Sequence, residues 1–263
     1  FGRLKLINGG WGFARIDGRI VAMQDPYEIR DYVISFTKAI KMADVLELLY
    51  RGGVQYLGPD RLSNLEFIDP EMEKSSKHRQ VFYFTNKIWE VNKDGIQEHS
   101  LTEIGSYIWN ENIKHFDAKK TTSPLVEFTK ITDEALARFP QESSDYLRPY
   151  IGRYLIDYSE DGEKCHFLKF LENASNFTWR KNDKEVTPAE RFENIEHLLA
   201  KLTALGYMLH TYKDPGICKA IVAMDGKLSE VGASNGRSGK SLLGKAVGCI
   251  VNQVYIGGKS KNL

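Results

Sequence analysis

The sequence predicts an α+β region, then a helical segment, then the opening of an α/β unit. Three observations carry this prediction. Short β-type runs between glycine and asparagine turns fill much of the first 116 residues. From residue 130 the apolar positions recur at helical spacing. Near the end, a compact apolar run leads through a glycine-rich loop into an apolar helix. With 263 residues, 42% hydrophobic and 27% charged, the chain can bury a real core, which excludes wholesale disorder.

Leu4-Lys-Leu-Ile7 and Gly12-Phe-Ala-Arg-Ile16 flank a glycine turn, and Asp17-Gly18 between Ile16 and Ile20 signals a hairpin. Asp25-Pro26 opens a helix, because aspartate caps free amides and proline fits the first turn. Ile29, Tyr32, Val33, Phe36 and Ile40 give that helix one apolar face. A second helix is expected over Ala43 to Tyr50, ended by Gly52-Gly53. Arg79–Phe84 and Ile88–Val91 read as a hairpin around Thr85-Asn-Lys87, with a further short strand or turn after Asp94-Gly95. Residues 117–124 are polar and end in proline, which marks a linker.

Asp145 to Tyr158 carries Leu147, Tyr150, Ile151, Tyr154 and Leu155 on what reads as one helical face. Thr187-Pro188-Ala-Glu190 is a capping box, and its helix runs toward Tyr212 until Asp214-Pro215-Gly216 stops it. Lys219–Met224 reads as a buried strand and Val251 to Ile256 as a second one.

Lysine and arginine total 36 against 35 acidic residues, so the net charge is +1 and no global basic field advertises nucleic acid. Cys165, Cys218 and Cys249 are scattered, without metal-ligand spacing, and a reducing cytoplasm is the simplest compartment. Two glycosylation sequons, at Asn173 and Asn176, read as chance, and no run approaches the ~20 apolar residues of a membrane span. The six histidines are dispersed, the basic loop Lys74 to Arg79 reads as solvated surface, and the four tryptophans read as core or rim. Phe1 is not an initiator methionine, and the ends suggest a piece of a longer chain.

One motif carries a mechanism. Ser234-Asn-Gly-Arg-Ser-Gly-Lys-Ser241 fits the phosphate-binding loop GxxxxGK[ST] except at its first position. Polyphosphate needs inward-pointing backbone amides, which glycine permits at positive φ, with a helix N-terminus behind them. In that reading Asn235, Gly236, Arg237, Ser238 and Gly239 supply the loop, Lys240 reaches the β and γ phosphates, and the Ser241 hydroxyl holds magnesium. ATP and Mg2+ are the implied ligands. Asp225 ends its strand as a magnesium-binding Walker B aspartate would, but it precedes the loop, so a turn or cap role is favoured over that one. After Lys240 only 23 residues remain, so this chain alone is expected to hydrolyse ATP poorly.

Leu205-Gly-Tyr-Met-Leu-His-Thr-Tyr-Lys-Asp-Pro215, Lys219–Asp225 and Gly236–Ser241 together resemble phage and prophage primase-helicase proteins. Tyr83–Trp89 and Ile108-Trp109 are similar to the region before the motor in that family. The resemblance implies four segments: an α+β module over 1–116, a linker over 117–129, a helical domain over 130–215, and over 216–263 the truncated start of a P-loop (AAA+/superfamily 3-like) α/β ATPase domain. It further implies single-stranded DNA as partner and a homo-oligomeric, hexameric ring, in which a neighbour's arginine stabilises the transferring phosphoryl group. Walker B, the sensor asparagine and the arginine finger are not found in this sequence. Two other readings stay open: a P-loop small-molecule kinase, and a DNA-binding or oligomerisation module with no catalytic role.

Overall fold

The computed structural model describes residues 1–6, 9–101, 103, 105–217, 219–223, 239–254 and 256. The chain divides into two compact units, Phe1–Ala118 and Lys119–Leu263, both mixed in α and β structure.

The first unit opens with strands β1 (Gly2–Lys5), β2 (Trp11–Asp17) and β3 (Ile20–Gln24), antiparallel to one another. The Asp17↔Ile20 pair closes a two-residue hairpin in which Gly18 takes a positive φ of 58°, the conformation such turns require. Helix α1 (Pro26–Ala39) begins as expected. The Asp25 carboxylate accepts from the Glu28 amide, and the Glu28 carboxylate accepts from the Asp25 amide. Its Ile29 is buried with Phe13 of β2 and Leu62 of a short helix α3 (Pro59–Leu62). Between them, helix α2 spans Ala43–Leu57. It does not stop at Gly52-Gly53: Gly52 leaves helical geometry (φ −132°, ψ 23°) and kinks the helix, which then resumes. Two glycines weaken a helix without removing a hydrogen bond, and packing carries it through.

β4 (Phe67–Ile68) and β8 (Ile108–Trp109) add parallel edges to the first sheet, in the order β4-β1-β2-β3-β8. The expected hairpin forms a second sheet of β5 (Gln80–Phe84), β6 (Ile88–Asn92), β7 (Gly95–His99) and β9 (Ile113–Lys114), ordered β7-β6-β5-β9. Ile108 of the first sheet is buried with Val81, Tyr83 and Ile88 of the second, so the two sheets share a core. In the basic loop Lys74, Lys77 and His78 are exposed, whereas Arg79 is half-buried between Glu73 (2.5 Å) and Glu90 (2.7 Å).

In the second unit, β10 (Val126–Lys130) pairs with β11 (Tyr154–Tyr158), and so lies partly within the stretch read as linker. The helix expected over Asp145 to Tyr158 is not one element. Helix α5 (Gln141–Leu147), preceded by α4 (Asp133–Leu136), passes into a single 3-10 turn, Arg148–Tyr150, and then into β11. Pro149 lacks a donor, Gly152 reverses the chain at φ 93°, and Ile131 and Arg153 are hydrogen-bonded to close the hairpin. Ladder pairing with a strand 28 residues away overrides the local helical period.

Helices α6 (Glu160–Lys164), α7 (His166–Ser175), α8 (Pro188–Leu209) and α9 (Lys240–Gly248) complete the described elements. Leu168 and Leu171 of α7, Leu198 and Leu205 of α8 and Val247 of α9 form one buried cluster, flanked by Val126, Phe128 and Ile156 of the hairpin. α8 starts with the expected capping box and ends at Leu209, its His210 amide donating to Gly206. Neither strand expected near the C-terminus is present among the described residues of 219–223 and 251–256. Val222 is 76% exposed and Val254 is 89% exposed. A buried parallel strand needs hydrogen-bonded neighbours and covering helices, and nothing described flanks these residues in that way.

Two tests follow from this packing. A Cβ on Gly162 of α6 would stand 1.9 Å from the Leu125 carbonyl oxygen, a backbone atom that cannot swing aside. Gly162→Ala should therefore lower stability by about 1–3 kcal/mol, read from urea unfolding. At the start of α8, a hydrogen bond from Lys181, with another from the Thr187 amide, draws the Glu190 carboxyl down to about 2. Its stabilising charge is thus present above the ordinary carboxylate range and lost as pH falls through about 2. An NMR pH titration should place the Glu190 midpoint there, and Lys181→Met should move it back up.

Candidate phosphate-binding site

Of the phosphate-loop residues, the structure places Gly239, Lys240 and Ser241. Asn235, Gly236, Arg237 and Ser238 lie outside the described residues, as do Ser234 and Asp225. Gly239 is the residue before α9 and is left-handed, φ 78° and ψ 0°; its carbonyl accepts from the amides of Leu242 and Leu243. A side chain there meets two obstacles. The backbone region disfavours L residues, and a Cβ would lie 2.6 Å from Cζ of Phe170 on α7. Glycine thus both turns the chain into α9 and lets that helix approach α7 closely.

The N-cap residue of α9, a glycine, offers no side-chain cap. Lys240 is its first residue and Ser241, exposed, its second. Val247, three per cent exposed, docks the far end of α9 in the α7–α8 core, so the N-terminus is held rather than loose. A helix N-terminus behind a left-handed glycine, with a lysine in its first turn, suits an anion, since the positive end of the helix dipole and the lysine charge both favour it.

This N-terminus borders a cavity of about 420 Å³. Its walls are Phe170, Leu171 and Ala174 of α7, Phe177, and His197, Ala200, Lys201 and Ala204 of α8; residues 221–223, Gly239, Lys240 and Leu243 close it. Lys201 donates to the buried Ser175 hydroxyl at 3.1 Å and lies over the Phe177 ring at 5.7 Å. Burial among these apolar walls pushes the Lys201 ammonium below its usual range. Phe177 meets His197 edge to face, ring centroids 4.4 Å apart.

Both sequons serve this corner. Asn194 of α8 accepts from the Phe177 amide (3.1 Å) and donates to the Thr178 hydroxyl (2.9 Å), which itself donates to Asn176. Ser175 donates to the Leu171 carbonyl within α7. The polar residues of Asn173–Thr178 thereby fix where Phe177 and Lys201 stand.

Sequence reasoning did not find Lys201, Phe177 or His197 as site residues. The signal was present: His197, Ala200, Lys201 and Ala204 share one face of α8, and two alanines there leave room that leucines would fill. Trp11 (44% exposed) and Trp179 (65% exposed) lie on the surface rather than in a core. Among the described residues, no helix is long and apolar enough to cross a membrane, and no cluster of three or more His, Cys, Asp or Glu could hold a metal ion.

Gly239→Ala should cost about 1–2 kcal/mol through its left-handed φ alone, with a further loss from the Phe170 contact. Pairing it with Phe170→Ala should relieve only the second part. A double-mutant cycle on urea unfolding separates the two terms.

Compared with known proteins, the chain matches no family model, no curated protein and no solved structure.

Proposed function

We propose that this chain is part of an ATP-dependent DNA helicase or primase-helicase of phage or mobile-element replication, with MgATP held by the loop 234–241. The observation that supports this best is the start of α9. Gly239, Lys240 and Ser241 stand in the order Gly-Lys-Ser at a helix N-terminus, the glycine left-handed and the helix anchored by Val247. The left-handed glycine and the helix start behind it are features that a polyphosphate site uses. Lys240 would neutralise the β and γ oxygens, Ser241 would offer its hydroxyl to magnesium, and the first amides of α9 would meet phosphate oxygens. Bound ATP supplies the phosphoryl group whose transfer drives strand separation. The parallel sheet of a P-loop ATPase belongs to this proposal, as do single-stranded DNA, the hexameric ring and a cytoplasmic location.

A second reading has its own support in the first unit. Tyr27, Tyr32 and Phe36 of α1, and Tyr50 and Val54 of α2, are exposed at 45–75%. Large exposed apolar side chains in such number suit an oligomerisation module. In that reading the loop plays no catalytic part.

Calorimetric titration of the chain with MgATP, beside Lys240→Ala, tests the first reading. Loss of a charge-assisted contact of about 1.5–3 kcal/mol predicts affinity weaker by roughly 10- to 100-fold. In the gene product that carries this chain, ATP turnover should rise with single-stranded DNA and vanish in the same variant. Turnover indifferent to DNA favours a kinase. Oligomer formation without nucleotide binding favours the assembly module.

A further inference from the structure

Resting on the phosphate-loop reading, we infer that the cavity between α7, α8 and the start of α9 receives the nucleoside of the bound triphosphate, and that Lys201 is a ligand-contacting residue of that site. The loop reading accounts for phosphates only. Gly239 and Lys240 also line the cavity, so a triphosphate held at the α9 N-terminus lies beside it. Its volume of about 420 Å³ falls in the range of small-molecule sites. Its walls combine aromatic rings (Phe170, Phe177) with alanines (Ala174, Ala200, Ala204), apolar surface against which a flat base loses water at little cost.

The charge of the lining points the same way. Among the described residues that line it, two are lysines and none is acidic. Lys201 spends one donor on Ser175, and an ammonium has three. A cation among apolar walls is poorly solvated, and a ligand that brings hydrogen-bond acceptors restores part of what burial removes. Base and ribose edges offer such acceptors, and His197 stands one helical turn away to meet another.

The test uses the chain itself, with two probes: MgATP and inorganic triphosphate, each titrated calorimetrically. Ala200 is exposed on α8, so Ala200→Phe can fill the cavity mouth without entering the core. Lys201→Met keeps the side-chain stem, and Ser175 retains its bond to Leu171, so no buried hydroxyl is orphaned. Thermal melts of both variants should stay within a few degrees of the parent. Ala200→Phe should weaken MgATP at least tenfold and leave triphosphate within twofold. Lys201→Met should weaken MgATP more than triphosphate. Equal effects on both probes, or none on MgATP, would overturn the nucleoside site while Lys240→Ala still weakened binding of both. Failure of both probes to bind the parent chain would overturn the phosphate loop itself, and this inference with it.

Discussion

Val247 is the residue on which the geometry of the site depends. A helix of nine residues is too short to persist in water alone, so α9 exists because its apolar face is buried. Val247 enters the cluster of Leu168, Leu171, Leu198 and Leu205, with Leu243 beside it one turn earlier. That anchors the axis of α9 against α7 and α8 and fixes where its first amides stand. Gly239 then accommodates what the anchoring imposes: a left-handed turn, and Phe170 closer than any Cβ would allow. The cavity is the space left over. Core leucines hold the helices together on one side, while alanines on the neighbouring face of α8 leave the space between them unfilled.

The first unit solves a different problem, that of two small sheets neither of which could bury enough surface alone. Ile108 belongs by pairing to one sheet and by packing to the other, and it joins their interiors. The parallel edge strands β4, β8 and β9 have two residues each, short enough to present little template for pairing with another chain. Arg79, held between Glu73 and Glu90, ties the entry of β5 to its neighbour β6.

How much was legible in the sequence follows from the range of the interaction that decides each element. Asp25-Pro26 with Glu28, and Thr187-Pro188 with Glu190, act within four residues, and both helix starts stand where they were expected. The Asp17-Gly18 hairpin and the β5–β6 hairpin are equally local. Tyr154–Tyr158 is different. Its apolar spacing admits either structure, and the decision is made by Val126–Lys130, which no local window contains. For Lys219–Met224 a continuous apolar run was read as a buried strand, but burial is a property of neighbours, and its described residues 219–223 are exposed. The candidate site divides the same way. Gly239, Lys240 and Ser241 announce themselves by spacing, whereas Lys201 and Phe177 matter only because folding brings α8 beside α7.

The β10–β11 hairpin has a consequence for how this chain could vary. Lys130 pairs with Tyr154, so the segment between them leaves and rejoins the unit at one point. Ile131, Leu136 and Leu147 of that segment form their own small cluster, and Phe192 of α8 is its buried link to the rest. An excursion whose ends meet adds little closure entropy when it lengthens. Natural relatives could therefore carry this lobe grown, shrunk or replaced while the strand pair and everything downstream keep their register.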